Sequence, residues 1–367
     1  MNILEKHVFE EHLKHIHPEW TDFAYKITSL QSSDTFTVLY ATDVHYIRKY
    51  ARYVPSYYQV EEMVKFSGAV GADLLALGGD LADGNTTHER QCRDLYDLVS
   101  LVRESKTTSV ALSRGNHDDC SWYTWSHSLP VEGNTLSERD WYSQVVNRVR
   151  ASYPILLDEK NPMGGYYAVD DAFHKVRVLN LNTNDYAFKT DAEGKFASQK
   201  DVGHWSFGLR EAQLRWLASM LVLPGKDWSV LLMSHACPFL NEDEPVHNGK
   251  LVLALLKAFL KGEKGTLTSD DPAFPAEIAY DYTNAPSNDL MPYLYGHVHR
   301  DTVRVVDGIT AVSTRDLLGD SSAKLETWDN PNLRAYNSWD VMLFDKASRV
   351  LKIRRYGMPE CDRDIAY

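Results

Sequence analysis

Five short polar motifs occur along the chain, and each follows an apolar run of the kind that forms a buried strand. In chain order they are Asp43-Val44-His45, Gly79-Asp80, Gly115-Asn116-His117-Asp118, Ser234-His235 and Gly296-His297-Val298-His299. In open α/β sheets, the ligand crevice lies beyond the carboxyl ends of the strands. The sequence therefore predicts an α/β fold in which these distant motifs meet at one site.

The side chains of these motifs are ones that bind divalent cations. They comprise two Asp, one Asn and four His that can chelate metal, with one further His beside the Asn. Carboxylate, amide and imidazole together suit Mn, Fe or Zn. Two such cations that share a carboxylate can clamp a phosphoryl group. The pattern thus indicates a metal-dependent phosphoesterase, although each residue also has a structural alternative, such as a helix cap or a packed histidine.

The order D-x-H, G-D-x-x-D, G-N-H-D, H, G-H-x-H resembles that of the calcineurin-like metallophosphoesterase superfamily, over residues 43–299. The resemblance implies a two-sheet α/β/β/α sandwich and a pair of metal ions about 4 Å apart with a bridging hydroxide as nucleophile. It implies that Asp80 bridges the ions. The terminal ligands that it implies are Asp43, His45 and His299 for the first ion, and Asn116, His235 and His297 for the second.

The resemblance also implies that His117 binds no metal. This imidazole would stabilise the phosphoryl oxygens or protonate the leaving alkoxide. Asp83, the second Asp of G-D-x-x-D, would pair with His117, raise its pKa and fix its tautomer. Purple acid phosphatases have a Tyr iron ligand at that position, so Asp83 disfavours that branch. Arg114 is a candidate substrate residue, with a surface ion pair as the alternative.

The chain reads as a helical lead-in over residues 1–34 and one domain over residues 35–367. Insertions at about 119–165 and 239–290 are expected to cover the mouth of the site. Periodicity predicts helices over about 57–70, 87–104 and 209–223. Four late strands are expected to complete the second sheet, at 302–306, 309–313, 341–344 and 350–356.

The composition of the chain limits the classes of partner and of cellular location that we expect. The net charge of −12 disfavours nucleic acid as a partner, because phosphate backbones attract clustered Lys and Arg. The sequence contains no transmembrane segment or signal peptide, and its four cysteines lack CxxC spacing, so we expect a cytoplasmic protein with reduced thiols. The expected activity is hydrolysis of a phosphomonoester or phosphodiester in a small-molecule or nucleotide substrate. The alternatives are a non-catalytic metal-binding interaction module and a nuclease of the same superfamily; the oligomeric state stays open.

Overall fold

The first predicted strand, β1 (Thr35–Ala41), lies inside a six-stranded sheet, and all seven of its residues are buried. The computed structural model describes residues 20–47, 54–240, 245–317, 338–357 and 361–367. β1 pairs in parallel with β2 (Leu74–Leu77) and antiparallel with β14 (Ser338–Asp345). The sheet continues beyond β2 with β3 (Ser109–Leu112), and beyond β14 with β15 (Val350–Gly357) and β16 (Arg363–Ala366).

A second sheet is built around β7 (Ser229–Ser234), which pairs in parallel with β6 (Val176–Asn180) and β11 (Tyr293–Tyr295). β10 (Asp289–Leu290) also pairs with β7. The sheet extends from β6 through β5 (Tyr167–Asp171) to β4 (Leu156–Leu157), and from β11 through β13 (Ile309–Ser313) to β12 (Thr302–Val306). β8 (Lys264–Thr268) and β9 (Glu277–Asp281) form a separate hairpin.

The prediction that four late strands complete the second sheet is correct for β12 and β13 and wrong for β14 and β15. These last two strands pair with β1 and extend the first sheet instead. Apolar patterning shows that a strand is buried, but the choice of neighbouring strand depends on long-range packing. The order of the strands along the sequence therefore could not show which sheet β14 and β15 join.

The three predicted helices are present, and with a fourth over residues 249–261 that was not predicted they flank the sheets. α1 (Val54–Ala69) and α2 (His88–Val102) pack on the first sheet, and α6 (Glu211–Met220) and α7 (Gly249–Lys261) pack on the second. Strand β7 shows why the layers stack. Its Leu231 and Met233 belong to the core between the sheets, whereas Val230 and Leu232 belong to the core under α6 and α7. The two-sheet α/β/β/α sandwich is confirmed.

The segment at about 119–165 carries short helices rather than an irregular loop. They are α3 (Ser121–Ser126), α4 (Glu138–Trp141), a π-helical turn (Tyr142–Val146) and α5 (Asn147–Arg150). Trp141 is fully buried, and Arg148 lies 3.7 Å from the ring centroid of Tyr96 on α2, so this segment packs beside the first sheet.

The segment at about 239–290 contributes α7 and the β8–β9 hairpin, while residues 241–244 lie outside the described residues. Of the lead-in, residues 1–19 also lie outside them. Residues 20–28 are helical and bury Phe23 and Ile27. Within the part of the chain that the structure describes, no helix is both long enough and apolar enough to cross a membrane.

A partly buried charge cluster joins the two sheets at the end opposite the polar motifs. His174 Nδ1 lies 3.5 Å from Asp73 Oδ1, next to β2, and 3.3 Å from Asp171 Oδ1, at the end of β5. Burial raises the pKa of Asp73 to about 6. Burial opposes the protonation of His174, but Asp171 and Asp73 outweigh it and raise its pKa.

We predict that Asp73→Asn weakens the pH dependence of stability. Asp73 binds its proton more tightly in the folded chain, so its contribution to stability is complete below about pH 3.8 and is lost as pH rises through about 6, whereas the contribution of His174 is complete below about pH 6.5 and is lost only above it. The variant should lose about 1–2 kcal/mol less unfolding free energy than wild type between pH 4 and 7, after discounting for partial exposure. Urea unfolding across that range measures the difference, with the exposed Asp34→Asn as control. Parallel curves for Asp73→Asn and wild type would contradict the prediction.

Candidate metal centre

All five polar motifs lie in loops at the carboxyl ends of parallel strands, where the two sheets meet. Asp43 and His45 follow β1, Asp80 follows β2, and Asn116 and His117 follow β3 in the first sheet. From the second sheet, His235 follows β7, and His297 and His299 follow β11. The strand order places the carboxyl ends of these strands side by side, as the sequence predicted.

One group of ligand atoms comprises Asp43, His45 and His299. His299 Nε2 lies 3.2 Å from Asp43 Oδ1 and 3.4 Å from His45 Nε2. A carboxylate oxygen and two imidazole nitrogens that point at one another in this way suit a cation placed between them. Asp316 Oδ2 accepts from His299 Nδ1 at 2.9 Å, which directs the Nε2 atom toward the group.

A second group comprises Asp80, His235 and Asn116. His235 Nε2 lies 3.2 Å from Asp80 Oδ2 and 2.9 Å from Asn116 Oδ1. The other nitrogen of His235, Nδ1, lies 2.9 Å from the carbonyl oxygen of Gly78, to which it donates, and so leaves Nε2 facing the group. The ring of His297 lies 5.1 Å from that of His235, and its backbone N–H donates to Asp43 Oδ2 at 3.0 Å.

The carboxylate of Asp80 faces both groups. Its Oδ2 atom lies 3.2 Å from His235 Nε2 in one group and 3.8 Å from His45 Nε2 in the other. Oδ1 accepts from the backbone N–H of His117 at 2.8 Å, which fixes the orientation of the carboxylate. This is the arrangement that a carboxylate bridging two cations requires.

His117 stands at the open side of the centre. Its Nε2 lies 3.9 Å from Asp80 Oδ2, while its Nδ1 lies 2.7 Å from the backbone carbonyl oxygen of Asp83. The contact with Nδ1 is therefore made by the main chain of Asp83, and the Asp83 carboxylate lies within 4.8 Å of the ligand atoms of His45 and His117. Arg114 is buried and donates to the carbonyl of Leu136 at 3.2 Å.

Two residues that no motif marks also reach the centre. The carbonyl oxygen of His204 accepts from Asn116 Nδ2 at 3.2 Å, which turns the Asn116 Oδ1 atom toward His235. The His204 ring lies 4.4 Å from the ring of His117. Asp316, described above as the partner of His299, is the other. His204 follows no strand, so sequence patterning offered no signal for it, whereas Asp316 lies three residues after the buried strand β13, and that position was the available signal.

The electrostatics of the described residues favour cations at this centre. Burial disfavours ionisation of Asp80, but His235 and His117 outweigh it and lower the pKa of Asp80. Burial likewise opposes protonation of His235, yet Asp80 and Asp43 raise its pKa to about 9. The carboxylates thus attract positive charge strongly. Divalent cations meet that demand, so the donor set fits a pair of them.

The backbone around the centre is strained. Asp43, His45, Asp80, His297 and His299 all have φ between +46° and +69°. Such left-handed conformations cost about 1–3 kcal/mol each in non-glycine residues and cluster at functional sites. Gly296 is required for packing, because a Cβ atom there would lie 1.8 Å from Thr42 Oγ1 and 2.8 Å from Asp43 Oδ2.

Residues 36–301 match the family model for calcineurin-like phosphoesterases, which is more than half of the chain. The chain belongs to the calcineurin-like phosphoesterase family. Membership and the two groups of ligand atoms support metal-dependent hydrolysis of a phosphoester and a dinuclear metal cofactor. A search of curated proteins finds no match.

Solved structures are similar to the chain at low identity. A dimetal phosphatase from Danio rerio is 16% identical, with a TM-score of 0.58, and the match covers 90% of this chain and 99% of that one. A protein from Thermus thermophilus is 13% identical, with a TM-score of 0.43 and coverage of 88% and 99%. The likeness to the Danio rerio structure shows the fold, in agreement with the sandwich described above.

Proposed function

We propose that this chain hydrolyses phosphomonoesters or phosphodiesters at a binuclear centre bridged by Asp80. The observation that carries the proposal is the position of Asp80 Oδ2, 3.2 Å from His235 Nε2 and 3.8 Å from His45 Nε2. Two cations that share one bridging carboxylate require a carboxylate oxygen placed between two sets of ligands. A structural carboxylate needs no such second set of imidazoles.

Each metal has its own proposed ligands in addition to Asp80. Asp43, His45 and His299 hold the first ion, and Asn116, His235 and His297 hold the second. Oxygen and nitrogen donors without thiolate suit Mn, Fe or Zn. Cations held by these residues would neutralise the phosphoryl oxygens and would supply an activated water molecule as the nucleophile.

His117 acts on the substrate rather than on the metals. Because its Nδ1 donates to the carbonyl of Asp83, its Nε2 is the nitrogen that faces the centre. In its imidazolium form the ring carries a second proton on Nε2, which it donates as a proton or a hydrogen bond to a phosphoryl oxygen or to the leaving alkoxide. The ring of His204, at 4.4 Å, packs against His117 and limits its rotation.

The proposed substrate is a phosphorylated small molecule or a nucleotide. The net charge of −12 gives a polymeric nucleic acid little electrostatic attraction, whereas the metals neutralise a single phosphate locally.

The test is hydrolysis of p-nitrophenyl phosphate and bis-p-nitrophenyl phosphate by metal-stripped protein, with Mn, Zn, Fe or Mg added back. Metal-restored turnover supports the proposal, and the preferred ester distinguishes a phosphatase from a phosphodiesterase. Failure of the protein to bind two divalent ions would overturn it and favour a non-catalytic interaction module.

We predict that Asp316→Asn weakens metal binding at the first group. The carboxylate accepts from His299 Nδ1 at 2.9 Å and so increases the basicity of Nε2. Loss of such a partner typically reduces metal affinity about 10–100-fold. Competition with a metal-binding dye measures the affinity for each of the two ions separately. Only one of the two affinities should fall. Asp362→Asn, a carboxyl paired with Lys26 away from the centre, is the control. Equal affinities in Asp316→Asn and wild type would contradict this role.

A further inference from the structure

Three side chains that can bind a metal ion meet at the end of the molecule opposite the metal centre. Asp73 directly precedes β2 of the first sheet, Asp171 ends β5 of the second sheet, and His174 lies in the turn between β5 and β6. One ligand atom from each lies within 4.8 Å of the other two. None of the three belongs to the ligand groups of the metal centre, so an ion held here occupies a site of its own.

The spacing of the ligand atoms fits a tetrahedral ion. His174 Nδ1 lies 3.3 Å from Asp171 Oδ1 and 3.5 Å from Asp73 Oδ1. Zinc binds imidazole nitrogen and carboxylate oxygen at about 2.0–2.2 Å, so two ligand atoms in its tetrahedral shell are about 3.3–3.6 Å apart. Both observed distances lie in this range. The imidazole therefore already stands at ligand spacing from both carboxylates.

The imidazole nitrogen lacks the hydrogen bond that a simple ion pair provides. The His174 side chain is 9% exposed, and its Nδ1 atom is closed to solvent and has no hydrogen-bond partner, although both carboxylates are near. Nδ1 is thus directed at neither oxygen. A buried polar atom that is left unsatisfied destabilises the folded chain. An ion between the three side chains satisfies this nitrogen and both oxygens at once.

Other contacts hold the two carboxylates in place. Asp73 Oδ2 accepts from the backbone N–H of Thr37 at 2.8 Å, which leaves Oδ1 to face His174. Asp171 Oδ1 accepts from the backbone N–H of His174 at 2.7 Å, and Thr108 Oγ1 lies 3.4 Å from Asp171 Oδ2. Hydrogen bonds of this kind orient the ligands of a metal ion before it binds.

Two phenylalanine rings pack against the imidazole. The ring centroids of Phe36 and Phe173 lie 5.8 Å and 4.8 Å from that of His174, both edge-to-face. Phe173 is 79% exposed, which is unusual for so large an apolar side chain, and its contact with His174 covers the imidazole. Apolar groups around a metal site limit the access of water and strengthen the attraction between ion and ligands.

The charges of the three side chains favour a divalent cation. Two carboxylates face one imidazole, so even an imidazolium leaves one negative charge unbalanced. Lys346 does not supply the missing charge directly, because its Nζ donates to three backbone carbonyl oxygens, including that of His174. Two oxygens and one nitrogen suit zinc, whereas calcium takes six or more oxygen ligands.

We propose that Asp73, Asp171 and His174 bind a zinc-type divalent ion, with a water molecule as the fourth ligand. The ion connects the turn after β5 with the start of β2 and so fastens the two sheets together at the end away from the metal centre. Its role is structural, and the inference does not depend on the proposed function.

Zinc content tests the site. The full chain is dialysed against zinc buffered in the low micromolar range, and elemental analysis gives the ions per chain. Wild type is expected to hold one ion more than His174→Gln or Asp73→Asn, and circular dichroism is the check that both variants are folded. His247→Gln is the matched control and should keep the wild-type content, since His247 is a half-exposed histidine paired with Asp271 elsewhere on the surface.

Thermal unfolding tests the structural role. Zinc should raise the unfolding temperature of wild type at least about 2 °C more than that of His174→Gln, because an ion that binds only the folded chain stabilises it. Ions at the metal centre are common to both proteins and cancel in this comparison. Equal zinc content in wild type and His174→Gln, an equal shift of their unfolding temperatures, or loss of an ion from His247→Gln would overturn the proposal.

Discussion

Replacement of Asp80 by asparagine is expected to abolish binding of at least one of the two metal ions and to reduce phosphoester hydrolysis at least about 10³-fold. Asp80 Oδ2 lies between His235 and His45, so the substitution removes the negative charge that both ions share. Metal stabilisation of transition-state charge contributes several kcal/mol, and each 1.4 kcal/mol is about tenfold in rate. Asparagine keeps the size of the side chain and an oxygen that can accept from the backbone of His117.

Two measurements check this expectation. Elemental analysis after dialysis against Mn gives the number of ions per chain, and p-nitrophenyl ester hydrolysis gives the rate. Asp270→Asn, an exposed carboxyl in the segment after β8, is the matched control and should retain two ions. Circular dichroism is the check that the variant remains folded. Two ions per chain in folded Asp80→Asn would show that Asp80 does not bridge them.

The placement of the motifs was predictable because it depends on strand ends alone. β1, β2 and β3 are short, buried and parallel, and each is followed at once by Asp43, Asp80 or Asn116. Parallel neighbours bring their carboxyl ends to one edge without further information. The same reasoning placed His235 after β7 and His297 after β11.

The details inside the site depend on contacts that no local pattern records. Asp316 lies 17 residues after His299 and meets it because the chain returns through β12 and β13. His204 lies in a short 3-10 turn, Gly203–Trp205, with no preceding strand. Its contact with Asn116 arises from the packing of the loop after β6 against α3, where the backbone N–H of His204 donates to Ser121 Oγ at 2.9 Å.

Arg114 illustrates a limit of reasoning from neighbours in sequence. It precedes Gly115 and Asn116, which suggested a phosphate contact or a surface ion pair. Its guanidinium lies 5.8 Å from the ring centroid of Trp141 and donates to the carbonyl of Leu136, and the residue is buried, so the surface position of the alternative is wrong and the phosphate contact stays a prediction. Residues 113–119 lie in a loop after β3, where no regular alternation sets the direction of a side chain, so a position close to a ligand in sequence does not by itself place a side chain at the same site.

His117→Ala is expected to reduce kcat about 10²–10⁴-fold, the usual contribution of a positioned acid–base group, while two metal ions remain bound. The ring is held through Nδ1 by the carbonyl of Asp83, and its Nε2 lies 3.9 Å from Asp80 Oδ2, outside the two proposed ligand sets. Metal analysis and thermal unfolding should therefore match wild type. His127→Ala, an exposed histidine beyond α3, is the control and should keep full activity.

The leaving group distinguishes the two tasks proposed for His117. p-Nitrophenolate leaves readily as an anion, whereas an alkoxide needs a proton during bond cleavage. If His117 is the acid, His117→Ala should slow an alkyl ester at least about tenfold more than a p-nitrophenyl ester. If it stabilises phosphoryl oxygens, both esters should slow equally, because those oxygens are common to both. Retention of wild-type kcat for both esters would exclude His117 from the reaction. The metal centre alone would then account for the rate enhancement.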